Sequence, residues 1–434
     1  MKWSKFNHLF CHENHFLLYN SLSNSFAELD SELYHQLSEF IIGKDVTIED
    51  EELSENLRRM KALTNDDIQE IEKIKFTTLL NRFDNSRLSL TINPTLACNF
   101  SCPYCFEFEH ANKTMSNEVE DRIVSFIKTK PSVKTLSITW FGGEPLLAFD
   151  RIESLTKKML ELGIQYNSGM ISNGYLITKQ KAEKFEKLHI NSIQITLDGM
   201  EETHNKRRAL KNGVGTFKRI LESIEILTKY APKTRINIRV NIDKENQSEY
   251  IKLHHFFSEK YKHKISITPA FTSDPTEKGT SCLYNQQERH DFIVKLFNEH
   301  HIFFNNFYPS NRRAECAIRS VGTYVIGPEG ELYGCWNDVG NPNRVFGKLG
   351  DKTMDESKYI AYKMRADALT DTECNDCILF PVCNGGCPYD RIKRFEQGLK
   401  PSVCPLMKNS LDEYLTLHYK YKTQLLNKQK QKQN

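Results

Sequence analysis

A chain of 434 residues with 39% apolar and 26% charged side chains is long enough for two or three domains and has an ordinary globular composition. Its net charge of +3 gives no basis for nucleic-acid or membrane-surface binding, and no stretch approaches the roughly 18 consecutive apolar residues of a membrane span. Polar residues interrupt any apolar run after the early lysines, so no signal peptide is expected and the protein is read as cytoplasmic.

Residues 1–84 read as a small α/β module. Segments around His15–Leu18 and Ser25–Leu29 suit a hairpin turning at Asn20–Asn24. Asp30 or Ser31 then caps a helix whose apolar face is Leu33, Leu37, Phe40 and Ile41, ending at Gly43. A second helix follows with Leu57, Met60 and Leu63 along one side. Hairpin and short helices together suit a winged-helix-like module.

Residues 85–275 alternate strand and helix. Expected strands are Leu88–Ile92, Thr135–Trp140, Gly169–Ser172, Ser192–Leu197, Asn237–Asn241 and Ser266–Pro269, with amphipathic helices between them. Such alternation implies an α/β fold with a parallel sheet and outer helices. About six units fit a partial (β/α)6 TIM-like barrel with its site at the C-terminal strand ends. Residues 276–309 bridge to a Gly- and Cys-rich region, 310–408, and 409–434 read as a helix with a polar tail.

Ten of the twelve cysteines fall between Cys98 and Cys105 or between Cys316 and Cys404. Clustering over a long chain without an export signal points to thiolate–metal sites rather than disulfides. Cys98, Cys102 and Cys105 form C-x3-C-x2-C directly after a predicted strand. Three thiolates leave one iron of a cubane cluster open to a substrate or cofactor. The alternative is zinc completed by a nearby histidine such as His110, although zinc sites usually use paired ligands.

With these cysteines the sequence resembles the radical S-adenosylmethionine (SAM) superfamily. Phe141-Gly142-Gly143-Glu144-Pro145 resembles that family's GGE motif, whose backbone edge receives the amino group of SAM. Ser172 and Asn173 resemble its ribose-contacting segment, and Ser192 with Asp198 and Arg208 its fourth-strand segment. Arg239 resembles a position that holds the SAM carboxylate; Tyr104 and Phe106 stand where the family contacts adenine. The resemblance implies reductive cleavage of SAM to a 5′-deoxyadenosyl radical, which abstracts hydrogen from an unactivated carbon.

The second region resembles the family's SPASM extension. Cys316 is followed by thirteen residues, Gly330, four residues and Cys335; then come Cys374, Cys377, Cys383, Cys387 and Cys404 in register. The resemblance implies two auxiliary clusters, three [4Fe–4S] clusters in all. Cys316, Cys335 and Cys387 would bind the first, and Cys374, Cys377, Cys383 and Cys404 the second. Some relatives carry a further cysteine where Ser310 stands here, so the first is completed by Cys282 or keeps an open iron. Cys11 is read as a buried or free thiol.

Most SPASM enzymes act on peptides or proteins. The expected function is a maturase of a ribosomally made precursor peptide: the leader binds residues 1–84 and a thioether, C–C or C–O crosslink forms in the core. Flavodoxin or ferredoxin would supply the electron. The alternative is an anaerobic sulfatase-maturating, formylglycine-generating enzyme, but its catalytic Asp would directly follow Cys335, where Trp336 stands, and Asp338 is out of register. A third reading, a non-catalytic Fe–S or zinc partner-binding protein, has no use for the GGE motif.

Overall fold

The run Phe16-Leu17-Leu18-Tyr19 has no polar interruption, and the fold buries it on both faces. In the computed structural model, residues 2–44, 46–64, 70–105, 112–262, 264–272, 282–303, 308–309 and 315–433 are described. They divide into two compact units: Met1–Phe83 with Gln286–Ser320 and Met364–Asn434, and Asp84–Asn285 with Val321–Lys363.

The first unit opens with β1 (Lys2–Trp3) and an antiparallel meander, β2 (Asn7–His12), β3 (His15–Asn20) and β4 (Ser25–Leu29). The expected hairpin is β3–β4, pairing Phe16 with Leu29 and Asn20 with Ser25; β2 is an added strand on the other side of β3. From central β3, Leu17 and Tyr19 pack with Phe10, Leu379, Val382, Leu411 and Leu415. Leu18, on the opposite face, packs with Leu37, Leu57, Ala62 and Leu63. Helix Ser31–Ile41 starts where expected: the Leu33 amide donates to the Asp30 carboxylate at 2.8 Å. Asp50 caps Glu51–Arg59 in the same way. The chain then returns as β5 (Leu63–Thr64), antiparallel to β1, and continues as helix Glu70–Arg82.

The second unit is built on a sheet of six consecutive parallel strands: β6 (Arg87–Ile92), β7 (Thr135–Trp140), β8 (Gln165–Ser172), β9 (Ile190–Thr196), β10 (Arg235–Ile242) and β11 (Ser266–Phe271). Helices Asn117–Lys128, Phe149–Leu160, Lys179–Phe185, Phe217–Tyr230 and Gln247–Tyr261 lie between them in sequence. Leu88, Leu90, Ile92, Leu136, Ile138 and Trp140 are all buried, whereas the alternate Ser89, Thr91, Ser137 and Thr139 are only half-buried. One face is thus apolar, and the other carries small polar side chains, as an open barrel interior requires.

Three further strands extend this sheet beyond β6. β12 (Thr323–Ile326) joins β6 in parallel, and β13 (Glu331–Tyr333) and β14 (Gly347–Lys348) follow antiparallel. Gly330 makes the β12–β13 turn possible with φ of +87°. Leu96, Val325, Tyr333 and Val339 form a small core there, so the loop after β6 and the loop around Cys335 share one support.

Candidate active site

The cysteine loop leaves the C-terminal end of β6 and lies directly on the loop after β7. The Gly143 amide donates to the Thr95 carbonyl at 3.2 Å and the Glu144 amide to the Ala97 carbonyl at 2.8 Å. A side chain cannot fit between the two. A Cβ on Gly142 would sit 2.4 Å from the Thr95 oxygen, and one on Gly143 would sit 2.4 Å from both the Leu96 and Ala97 oxygens. The close approach that glycine permits here is made by the chain's own cysteine loop.

Glu144 is fully buried, and its carboxylate accepts from the Leu146 amide at 3.0 Å, Ser172 Oγ at 2.8 Å and the Asn173 amide at 2.7 Å. Burial pushes its carboxyl up, against the pull of these donors and of Lys181. The carboxylate therefore ties the end of β7 to the end of β8, and what this edge offers a ligand is backbone. Ser172 is likewise taken up by Glu144, while Asn173 reaches the cysteine loop through Nδ2 to Asn99 Oδ1 at 2.8 Å.

Cys98, Cys102 and Cys105 stand in this one short loop, with Cys98 Sγ accepting from the Phe100 amide at 3.4 Å. Burial, reinforced by Glu144, Cys102 and Cys105, pushes the Cys98 thiol up to about 11. Burial raises Cys102 as well, and Arg208 opposes it. Thiols so placed become good ligands once a cation compensates their charge.

Facing them is a polar network from the ends of β9 and β10. Tyr104 hydroxyl donates to Asp198 and accepts from Arg208 Nη1 at 2.6 Å and Asn241 Nδ2 at 3.3 Å. Arg207 bridges Asp198 at 3.4 Å and Asp243 at 2.8 Å. Beneath them His204 is buried between Thr216 Oγ1 at 3.0 Å and the Asp198 amide at 3.3 Å, and burial holds its imidazole well below the usual range. Among the described residues, Asp198 Oδ1, Arg207 Nη2, Arg208 Nε, Asn93 Oδ1 and Asn99 Nδ2 are buried without a hydrogen-bond partner. Orphaned donors and acceptors beside three thiols suit a polar, zwitterionic ligand together with a thiolate-bound cluster.

Other expected positions behave differently. Ser192 lies near the start of β9, in register with Gly169 and Arg235, and so belongs to the wrong end of its strand for this site. Arg239 is accessible, in register with Thr196, and donates from Nε to Asn241 Oδ1 at 2.8 Å. Phe106, His110 and Ser310 lie outside the described residues. Arg207, Asn241 and Asp243 were not anticipated, although Asn241 and Ile242 end β10 with Asp243 just beyond, and a strand-end search would have found them.

None of the twelve cysteines, all of them among the described residues, is joined in a disulfide, and Cys11 is exposed rather than buried. Cys374, Cys377, Cys383 and Cys404 line one pocket of the first unit. Gly386, at φ +81°, lets the Val403 carbonyl come so near that a Cβ would meet it at 2.0 Å, which brings Cys404 to the other three. Of the remaining candidates, Cys282 and Cys335 belong to the sheet unit, and Cys316 and Cys387 to the other. After Cys335, the Trp336 ring lies tilted against Phe141 with centres 5.7 Å apart, and buried Asp338 accepts from the Tyr362 hydroxyl at 2.6 Å with Arg344 at 3.7 Å. No helix among the described residues is long and apolar enough to cross a membrane.

Residues 92–257 match the sequence model of the Radical SAM superfamily. A cysteine-type anaerobic sulfatase-maturating enzyme of Clostridium novyi is 24% identical over 373 residues, covering 77% of this chain and 98% of its own. The radical SAM cyclopropyl synthase TigE of Paramaledivibacter caminithermalis is 23% identical over 421 residues, 86% of each chain. Among solved structures, anSMEcpe with bound AdoMet and a Cp18Cys peptide superposes with a TM-score of 0.62 at 21% identity, covering 79% of this chain and 99% of its own. SuiB of Streptococcus suis, bound to precursor peptide SuiA, superposes at 0.52 and 17% identity, covering 94% and 99%.

Proposed function

We propose, from the premise that this chain is a radical SAM enzyme, that it matures a ribosomally made precursor peptide by closing a thioether, C–C or C–O crosslink. When bound at Cys98, Cys102 and Cys105, the cluster and SAM supply one-electron chemistry that removes hydrogen from an unactivated carbon. The chain's part is placement. The Gly142–Gly143 backbone edge accepts from the amino group of SAM, and the unpaired atoms of Asp198, Arg208 and Asn99 receive its remaining polar groups. Tyr104, fixed by Asp198 and Arg208, walls the site. Arg239, accessible and steadied by Asn241, meets the carboxylate.

A second [4Fe–4S] cluster is assigned to Cys374, Cys377, Cys383 and Cys404, whose common pocket carries that assignment. A third, with Cys335 among its ligands, completes the expected set. A flavodoxin or ferredoxin is the electron donor in this reading.

The observation that carries the peptide reading is the extent of the shared fold. The SuiB fold covers 94% of this chain, whereas anSMEcpe covers 79% and leaves about a fifth without a counterpart. The meander of the first unit offers β2 and β4 as outer strands along which an extended leader can add. Sulfatase maturation is the second reading, favoured by the nearly full-length match to the Clostridium novyi enzyme. Against it, Trp336 follows Cys335, and the Asp338 carboxylate is committed to Tyr362. The test is anaerobic turnover with whatever small precursor peptide an adjoining gene encodes. A product lighter by two hydrogens and inert to an aldehyde probe is expected; an aldehyde-positive product would establish the second reading instead.

A further inference from the structure

The pocket lined by Cys374, Cys377, Cys383 and Cys404 also holds two cationic side chains. Lys408 Nζ donates to Cys377 Sγ at 2.8 Å, and Arg391 Nη1 donates to Cys374 Sγ at 3.7 Å. Neither contact is incidental to the fold around it. Arg391 is buried and locked, with Nε on the Ala366 carbonyl at 2.8 Å, Nη1 on the Gly385 carbonyl at 3.4 Å and Nη2 on Asp371 at 2.7 Å. Lys408 stands on the short turn Leu406–Asn409, separated from Cys404 only by Pro405.

The charges do not cancel at the sulfurs. Asp371 balances Arg391, and Glu373, which also lines the pocket, is paired with Lys400. No carboxylate is bonded to Lys408 among the described residues, so its charge falls on the cysteines alone.

We propose that Lys408, with Arg391 as its buried companion, raises the reduction potential of the iron–sulfur cluster held by Cys374, Cys377, Cys383 and Cys404. The inference rests on the cluster assignment made above. Reduction adds one negative charge to a cluster, so a fixed cation and N–H···S bonds stabilise the reduced form more than the oxidised one. A cluster poised upward in this way is suited to accept the electron that a one-electron oxidation of substrate leaves behind.

The test uses the full chain with Cys98→Ala, Cys102→Ala and Cys105→Ala, which keeps the auxiliary sites but removes the SAM site. After anaerobic reconstitution, the signal belonging to this pocket is the one lost when Cys374→Ala and Cys377→Ala are added. Potentiometric titration followed by electron paramagnetic resonance then reads its midpoint. Lys408→Met should move the midpoint downward, and Lys408→Arg should hold it near the parent value. Lys408 is exposed, so these substitutions leave the fold in place. A midpoint unmoved by Lys408→Met overturns the tuning while the cluster assignment stands. Iron unchanged by the added cysteine substitutions overturns both.

Discussion

Replacing Glu144 by Gln would turn an acceptor toward Leu146, Ser172 or Asn173 into a donor, leaving a buried N–H unpaired. We expect Glu144→Gln to cost about 1–3 kcal/mol in denaturant unfolding and to slow deoxyadenosine release, because the β7 and β8 loop ends, the proposed SAM edge, separate. Gly143→Ala should be worse, since its Cβ meets two carbonyls of the cysteine loop. The cysteine pattern was legible in the sequence because thiolate spacing is a covalent requirement of the cluster proposed for it. The role of the Glu144 side chain was not, since a motif does not say whether backbone or side chain faces the ligand. Ser192 already opened its expected strand, Ser192–Leu197, and stays in the amino-terminal half of β9, Ile190–Thr196, so its distance from the carboxyl-terminal strand end was legible in the sequence. His418 offers a pH test. It stacks on Tyr308 with ring centres 3.8 Å apart, and burial, with Lys422 adding, lowers its imidazole to about 4. An unfolded histidine titrates near 6.5, so the unfolded chain binds the extra proton between those values. Its contribution to stability is present above about 6.5 and lost as pH falls toward 4; His418→Gln should flatten that part of the stability–pH curve.

At the level of elements, helix Glu70–Arg82 ends in a buried ion cluster. Arg82 contacts Glu315 at 2.7 Å and Asp367 at 2.5 Å, with all three side chains almost wholly enclosed. Arg82→Met would strand two carboxylates, so we expect a loss of about 3–5 kcal/mol in the unfolding free energy of the first unit. The parallel strands could be read from the sequence because each offers several apolar residues at alternate positions. β7 begins and ends on the predicted residues, Thr135 and Trp140. β2 escaped because Asn7-His8-Leu9-Phe10-Cys11-His12 holds only one fully buried side chain, Phe10. β12 to β14 escaped for another reason. They are two to four residues long and set among glycines, so local pattern cannot distinguish them from a cysteine-bearing loop, and only pairing with β6 makes them strands.

At the scale of the molecule, the sequence pattern does not convey how the second cysteine region divides. Residues 321–363 extend the sheet that bears the proposed SAM site, whereas the pocket of Cys374, Cys377, Cys383 and Cys404 belongs with the amino-terminal meander. Long-range packing decides this: Phe6 and Ile74 share a core with Ala368, Leu369 and Phe380, with Cys374 and Cys377 packed against it. If three clusters are present, iron analysis should give about twelve irons per chain, falling by about four when Cys374, Cys377, Cys383 and Cys404 are replaced together. The central claim is that Cys98, Cys102 and Cys105 hold an iron open to SAM. The most direct measurement is deoxyadenosine released after anaerobic reduction with SAM, in the parent chain and in Cys102→Ala. Release by the parent and none by the variant is expected. A parent chain that carries only zinc, or forms no deoxyadenosine, would contradict the account.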